Sequence, residues 1–141
     1  MAWSIKHADL WAAEIEDAAG GLAAKLAGLA EAGAHLEFIF ARRAPELPGK
    51  GIVFLTPLKG AKPIKAAKSF GFHPLSRCGV VRVEGPDSQG MGARITSLIA
   101  EKELTLRGFS ATTMGKRCVI HLAFDSVADS SRAIRALRKL K

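Results

Sequence analysis

Two short stretches carry the residue types and spacing best suited to binding chemistry. Asp17-Ala18-Ala19-Gly20-Gly21-Leu22 and Asp87-Ser88-Gln89-Gly90-Met91-Gly92 each place a carboxylate three residues before a glycine, just ahead of a run with helical spacing. Glycine has no Cβ, so a ligand or a neighbouring backbone can approach it closely. A turn that opens a helix presents free N–H groups, which favour a carboxylate or another anion. Asp17 or Asp87 could cap the helix or accept an ammonium group. The same glycines equally suit a plain tight turn from strand to helix, and the residues alone leave both readings open. The second stretch is the better candidate, because Ser88 and Gln89 add side-chain donors where the first has Ala18 and Ala19.

Other chemistry is hard to assemble. His7, His35, His73 and His121 stand singly, and neither Cys78 nor Cys118 has a metal-type partner nearby in sequence. No metal site and no cofactor are expected. His121, between Ile120 and Leu122, reads as a hydrogen-bonded histidine of a sheet. No Ser/His/Asp order, carboxylate pair or nucleophile elbow stands out, so no enzyme activity is expected. The glycine spacing after Gly85-Pro86 fits neither the dinucleotide fingerprint nor the phosphate loop with its Lys-Ser/Thr.

The elements that must position these turns are written twice. Asp17–Ala23 reappears as Asp87–Ala93, an offset of 70 residues that also aligns Ala30-Glu31 with Ala100-Glu101 and Leu36 with Leu106. It sets Trp11, Ala13 and Ile15 against Val81, Val83 and Gly85. Each copy opens with a strand-like run, Asp9–Ile15 or Gly79–Glu84; in the second, Val81 and Val83 alternate with Arg82 and Glu84. After the glycine turn, Leu22, Lys25, Leu26 and Leu29, with Lys25 at the margin, or Met91, Ile95, Leu98 and Ile99, mark one helical face. The first helix should stop near Gly33. Strands are expected over Ala34–Arg42 and Gly51–Pro57, and over Leu104–Thr112 and Arg117–Asp125. A second helix follows in each copy, near Ala61–Ser69 and near Val127–Lys139, the latter opened by the capping-box-like Ser126-Val127-Ala128-Asp129. The first copy ends in a strand near Phe72–Ser76.

The order βαββαβ is the split ferredoxin-like pattern. The chain is therefore expected to be an α+β protein of two tandem ferredoxin-like units, residues 1–76 and 77–141, with antiparallel sheets and helices on one face. The second copy has almost no residues left for a fourth strand. Either Leu137–Lys141 is extended, or that sheet has three strands and an edge that another segment must cover.

Composition bounds the setting. The 141 residues carry 21 basic and 13 acidic side chains, a net charge of +8. No apolar stretch is long enough for a membrane helix, and Met1–Leu10 does not read as a secretory signal. A cytoplasmic location and two free thiols are expected, although Cys78 and Cys118 would approach each other if the first and third strands of the second copy were neighbours.

At the first turn the residues take on a family character. Asp17-Ala-Ala-Gly20-Gly21-Leu22-Ala23, then Leu26, Leu29-Ala-Glu-Ala-Gly33 and Ala34-His35-Leu36, resembles the start of an ACT domain. Gly85-Pro-Asp87-Ser-Gln-Gly90-Met91, then Ala93-Arg94-Ile95-Thr96 and Ile99-Ala-Glu101, resembles it again. The chain is similar to the small bacterial stand-alone tandem ACT proteins, with no catalytic domain attached. It departs from the family pattern where Ala19 and Gln89 replace a turn proline, where His35 and Thr105 replace an asparagine, and where Gly92 replaces an aliphatic residue.

The resemblance implies a regulatory protein that binds a small effector, commonly an amino acid, where two ACT domains meet. It implies a homodimer or higher homo-oligomer and a regulated protein partner. The implied ligand residues are Asp87, Ser88, Gln89, Gly90, Met91 and Gly92; Asp17, Ala19, Gly20, Gly21 and Leu22; and the strand-opening His35 and Thr105. Two alternatives remain. A basic ferredoxin-like module could bind nucleic acid, yet Val80–Glu84 and Val119–Phe124 offer only Phe124 for stacking. The basic face of the last helix (Arg132, Arg135, Arg138, Lys139, Lys141) reads first as a solvated surface. The other alternative is an oligomerisation module with no ligand, its apolar strand faces (Phe38/Phe40, or Ile39 with Val53/Leu55) serving as an interface.

Overall fold

The period-2 and helical patterns become strands and helices close to their expected places in the computed structural model, which describes residues 2–141. The chain divides into two compact units.

The first unit, Asp9–Leu75, contains β2 (Trp11–Glu16), α1 (Gly21–Glu31), β3 (Phe38–Arg43), β4 (Lys50–Thr56), α2 (Ala61–Ser69) and β5 (His73–Pro74). Its sheet is antiparallel with order β3-β4-β2-β5. Trp11, Ala13, Val53 and Leu55 point to one face and are buried with Leu29, Leu58, Ala67 and Phe72. α1 ends as expected: Gly33 adopts a left-handed φ of +89°, and the Ala34 N–H returns to the Leu29 carbonyl. Lys25 does not merely skirt the helix face. Its ammonium donates to the carbonyl of Phe70, the C-cap of α2, and so satisfies a helix end that lacks an intrahelical partner. Asp9 fastens the start of the unit. Its carboxylate accepts from the Trp11 indole, the Thr56 hydroxyl and the Leu58 N–H.

The second unit joins Ser76–Lys141 to the N-terminal strand. It contains β6 (Gly79–Pro86), α3 (Met91–Ala100), β7 (Leu106–Met114), β8 (Arg117–Phe124) and α4 (Val127–Leu137), together with β1 (Ser4–Ala8). The sheet order is β1-β6-β8-β7, again antiparallel. Its core gathers Val81, Val83, Ile95, Ile99, Ile120, Leu122, Phe124, Ala133 and Leu137 between the sheet and the two helices. Ser126 caps α4 by accepting the Asp129 N–H at 3.0 Å. Gly79 lets α4 sit tightly on the sheet, since a Cβ there would lie 2.3 Å from the Ser130 hydroxyl.

Four sequence expectations change. The strand expected near Phe72–Ser76 shrinks to His73–Pro74, where proline has no N–H to extend a ladder. The strand expected from Ala34 begins at Phe38. Leu137–Lys141 does not form a strand; α4 runs to Leu137 and Leu140 is buried in the core. The edge left open in the second copy is covered instead by β1, whose Ile5 pairs with Val83 and whose His7 pairs with Val81. Ser4–Ala8, read in the sequence as part of residues 1–76, thus completes the other sheet.

Both sheets carry the ferredoxin-like order, with helices over one face. No helix among the described residues is long and apolar enough to cross a membrane.

Candidate functional site

The two glycine turns have the same backbone construction. The Asp17 N–H donates to the Gly49 carbonyl, and the Asp87 N–H donates to that of Lys116. The Gly21 N–H returns to Ala18, and the Met91 N–H returns to Ser88. Gly20 and Gly90 are the N-caps of α1 and α3, with left-handed φ of +84° and +80°. An L side chain at either position would cost roughly 1–2 kcal/mol, which accounts for glycine there. Helical bonding starts at the Ala24 and Arg94 N–H groups. The N–H groups of Leu22 and Ala23, and those of Gly92 and Ala93, have no protein partner among the described residues.

Neither aspartate caps its helix, as the sequence had allowed: no side-chain hydrogen bond caps α1 or α3. Both residues sit three positions before the N-cap, at the end of the preceding strand. The two carboxylates have different surroundings. Asp17 forms an ion pair with Arg43 at 2.6 Å. Asp87 is exposed and has no side-chain partner among the described residues. Its charge is felt by Cys118, whose thiol is pushed up first by burial and then by Asp87. That thiol is a poor nucleophile.

The glycines following each N-cap also differ. Gly21 is required sterically, because a Cβ would lie 2.5 Å from the Glu16 carbonyl oxygen. Gly92 is not: a Cβ there would meet only the edge of the Phe109 ring, at an ordinary 3.9 Å. Phe109, on β7, is 43% exposed. Sequence reasoning missed both it and Arg43 as neighbours of the turns. The only signal was the offset of 70, which sets Phe109 against Ile39.

The remaining sequence candidates are distributed around these turns. Ala19, Gly20, Ser88, Gln89 and Gly90 are exposed, and Gly21, Leu22 and Gly92 are half-buried. Met91 is buried in the core of its unit, so only its backbone faces the turn. His35 and Thr105 are exposed residues just ahead of β3 and β7; neither makes a side-chain hydrogen bond among the described residues. His121 is buried in the sheet, opposite Arg82 on β6 and Ser110 on β7. Both cysteines are free. The antiparallel register sets Cys118 opposite Gly85 while Cys78 precedes Gly79 at the other end of β6, so the approach allowed by the sequence does not occur. Among the described residues no group of three or more His, Cys, Asp or Glu is placed to hold a metal ion.

No family model and no curated protein matches this chain. Solved structures do. The protein BT0572 from Bacteroides thetaiotaomicron superposes with a TM-score of 0.77 at 15% identity, over 96% of this chain and 89% of that one. The regulatory subunit of aspartate kinase from Thermus thermophilus, in a ligand-free form, gives 0.69 at 15% identity, over 99% and 96%. The corresponding subunit from Thermus flavus gives 0.64 at 17% identity, over 98% and 94%. The chain is similar to these proteins over nearly all of its length, and it has their fold, two ferredoxin-like units.

Proposed function

We propose that this chain is a non-catalytic regulatory protein that binds a small effector, an amino acid, at its strand-to-helix glycine turns. The observation that carries this reading is the duplicated turn: a glycine N-cap with no side-chain cap, free N–H groups behind it, and an aspartate three residues ahead. Free N–H groups at a helix start suit a carboxylate, and the aspartate suits an ammonium. An amino acid carries both groups. The shared fold with aspartate kinase regulatory subunits supports the reading.

The effector is completed by a second copy of the chain. β3 and β7 are edge strands beside these turns, and their Ile39, Phe40 and Phe109 are 45%, 49% and 43% exposed. Pairing through such strands would bury those side chains and enclose a ligand. Effector binding then shifts the assembly, and through it a regulated protein partner in the cytoplasm.

A nucleic-acid reading has one observation in its favour, the charge. The second unit holds thirteen basic against six acidic residues, while the first is nearly balanced. The stacked aromatic pair Phe40–Phe54, however, belongs to the first unit, so charge and stacking platform do not coincide in one sheet.

A thermal-shift panel of the twenty amino acids at millimolar concentration tests the proposal. A rise in melting temperature with a subset of them is expected; a flat panel with salt-sensitive RNA retention would replace this reading by the nucleic-acid one.

A further inference from the structure

The strand registers allow the two turns to be compared residue by residue. Ile39 pairs with Leu55, which pairs with Trp11; Phe109 pairs with Leu122, which pairs with Val81. Ile39 and Phe109 are therefore equivalent, and so are Arg43 and Thr113, which pair with Gly51 and Cys118. The equal N-caps Gly20 and Gly90 make Leu22 the counterpart of Gly92.

These equivalences reveal an asymmetry. In the first unit, Leu22 packs on the core. Arg43 neutralises Asp17. In the second unit Gly92 adds no side chain, a Cβ there would meet only the Phe109 ring within 4 Å, and that ring is 43% exposed. Thr113 replaces the arginine, so the Asp87 carboxylate stays available. Ser88 and Gln89 replace Ala18 and Ala19.

We infer that only the second turn is an effector site, and that it selects an amino acid with an apolar side chain, seated on Phe109 over Gly92. This rests on the effector-binding reading above and deepens it. Asp87 takes the ammonium group common to all amino acids. Phe109 is the residue that distinguishes among them, because an aromatic or branched aliphatic side chain buries apolar area against its ring and a charged one would be desolvated there. The turn of the first unit keeps the backbone shape but carries Leu22 in place of Gly92 and has its carboxylate paired with Arg43.

Calorimetric titration of the whole chain with L-phenylalanine, L-leucine, L-lysine, L-aspartate and glycine tests this. The expected result is one site per chain, with L-phenylalanine or L-leucine bound about tenfold or more tighter than glycine and the charged pair. Phe109→Ala should erase that preference while glycine binding persists. Gly92→Leu should weaken the apolar ligands by a similar factor, and Gly92→Ala, whose Cβ fits, should do so less. Ile39→Ala should leave the preference for apolar ligands intact. Two sites per chain, equal affinity for charged and apolar ligands, or a loss of preference in Ile39→Ala matching that in Phe109→Ala would each overturn the inference and leave the effector reading standing. No binding by any of the five would remove the effector reading and this inference together.

Discussion

Glu103 holds a left-handed backbone, φ +56°, at the position after α3 that Gly33 holds after α1. The Leu104 N–H reaches back to Ile99 as the Ala34 N–H reaches Leu29. The copy thus keeps the helix stop but strains a residue with a Cβ. Glu103→Gly should raise stability by about 0.5–1 kcal/mol, part of the relief being offset by the freer unfolded chain; chemical denaturation reads this directly. Glu84 offers a pH test. Its carboxylate lies between Arg82 at 2.8 Å and Arg117 at 3.3 Å. Hydrogen bonding to Arg82 is the largest cause holding it below its ordinary 4.5, with Arg117 adding to the effect. A depressed carboxylate contributes stability that is whole above the unfolded value and is lost as pH falls through the folded one. Glu84→Gln should therefore cost about 0.5–1 kcal/mol at neutral pH, as expected for a partly exposed pair. The gap from the parent protein should close on acidification below the carboxylate range. A gap that is constant with pH would mean the pair does not contribute through its charge.

At the scale of elements, β1 carries the clearest consequence. It covers an edge of β6 that would otherwise present unpaired backbone groups. Removing residues 2–7 should expose the β6 amides facing β1 to rapid hydrogen exchange and raise self-association. Unchanged protection in β6 would show that another segment can replace the strand. This element also shows where the sequence stopped being legible. β6, α3, α2 and α4 announced themselves through alternation, helical spacing and the Ser126 cap. Ser4–Ala8 has a single large apolar residue, Ile5, and an edge strand needs no stronger pattern, because its partner β6 supplies the buried face. The helix-bound turns could be read because glycine at Gly20 and Gly90 is a local requirement of backbone conformation. Arg43 and Phe109 could not, since each reaches its turn only through strand pairing distant in sequence.

For the molecule as a whole, one duplicated fold carries two different turns: Gly92 with an Asp87 that has no side-chain partner among the described residues in the second unit, and Leu22 with the Asp17–Arg43 pair in the first. Shared backbone bonds show the common plan, and Leu22 for Gly92 and Arg43 for Thr113 are the differences on which the inferred single site rests. Backbone amide NMR spectra recorded during titration with L-phenylalanine or L-leucine test this account most directly. The predicted result is saturable shifts concentrated on Asp87–Ala93 and Phe109, with the amides of Asp17–Ala23 unmoved. Shifts centred on the first turn, equal shifts at both turns, or none at millimolar amino acid would contradict it.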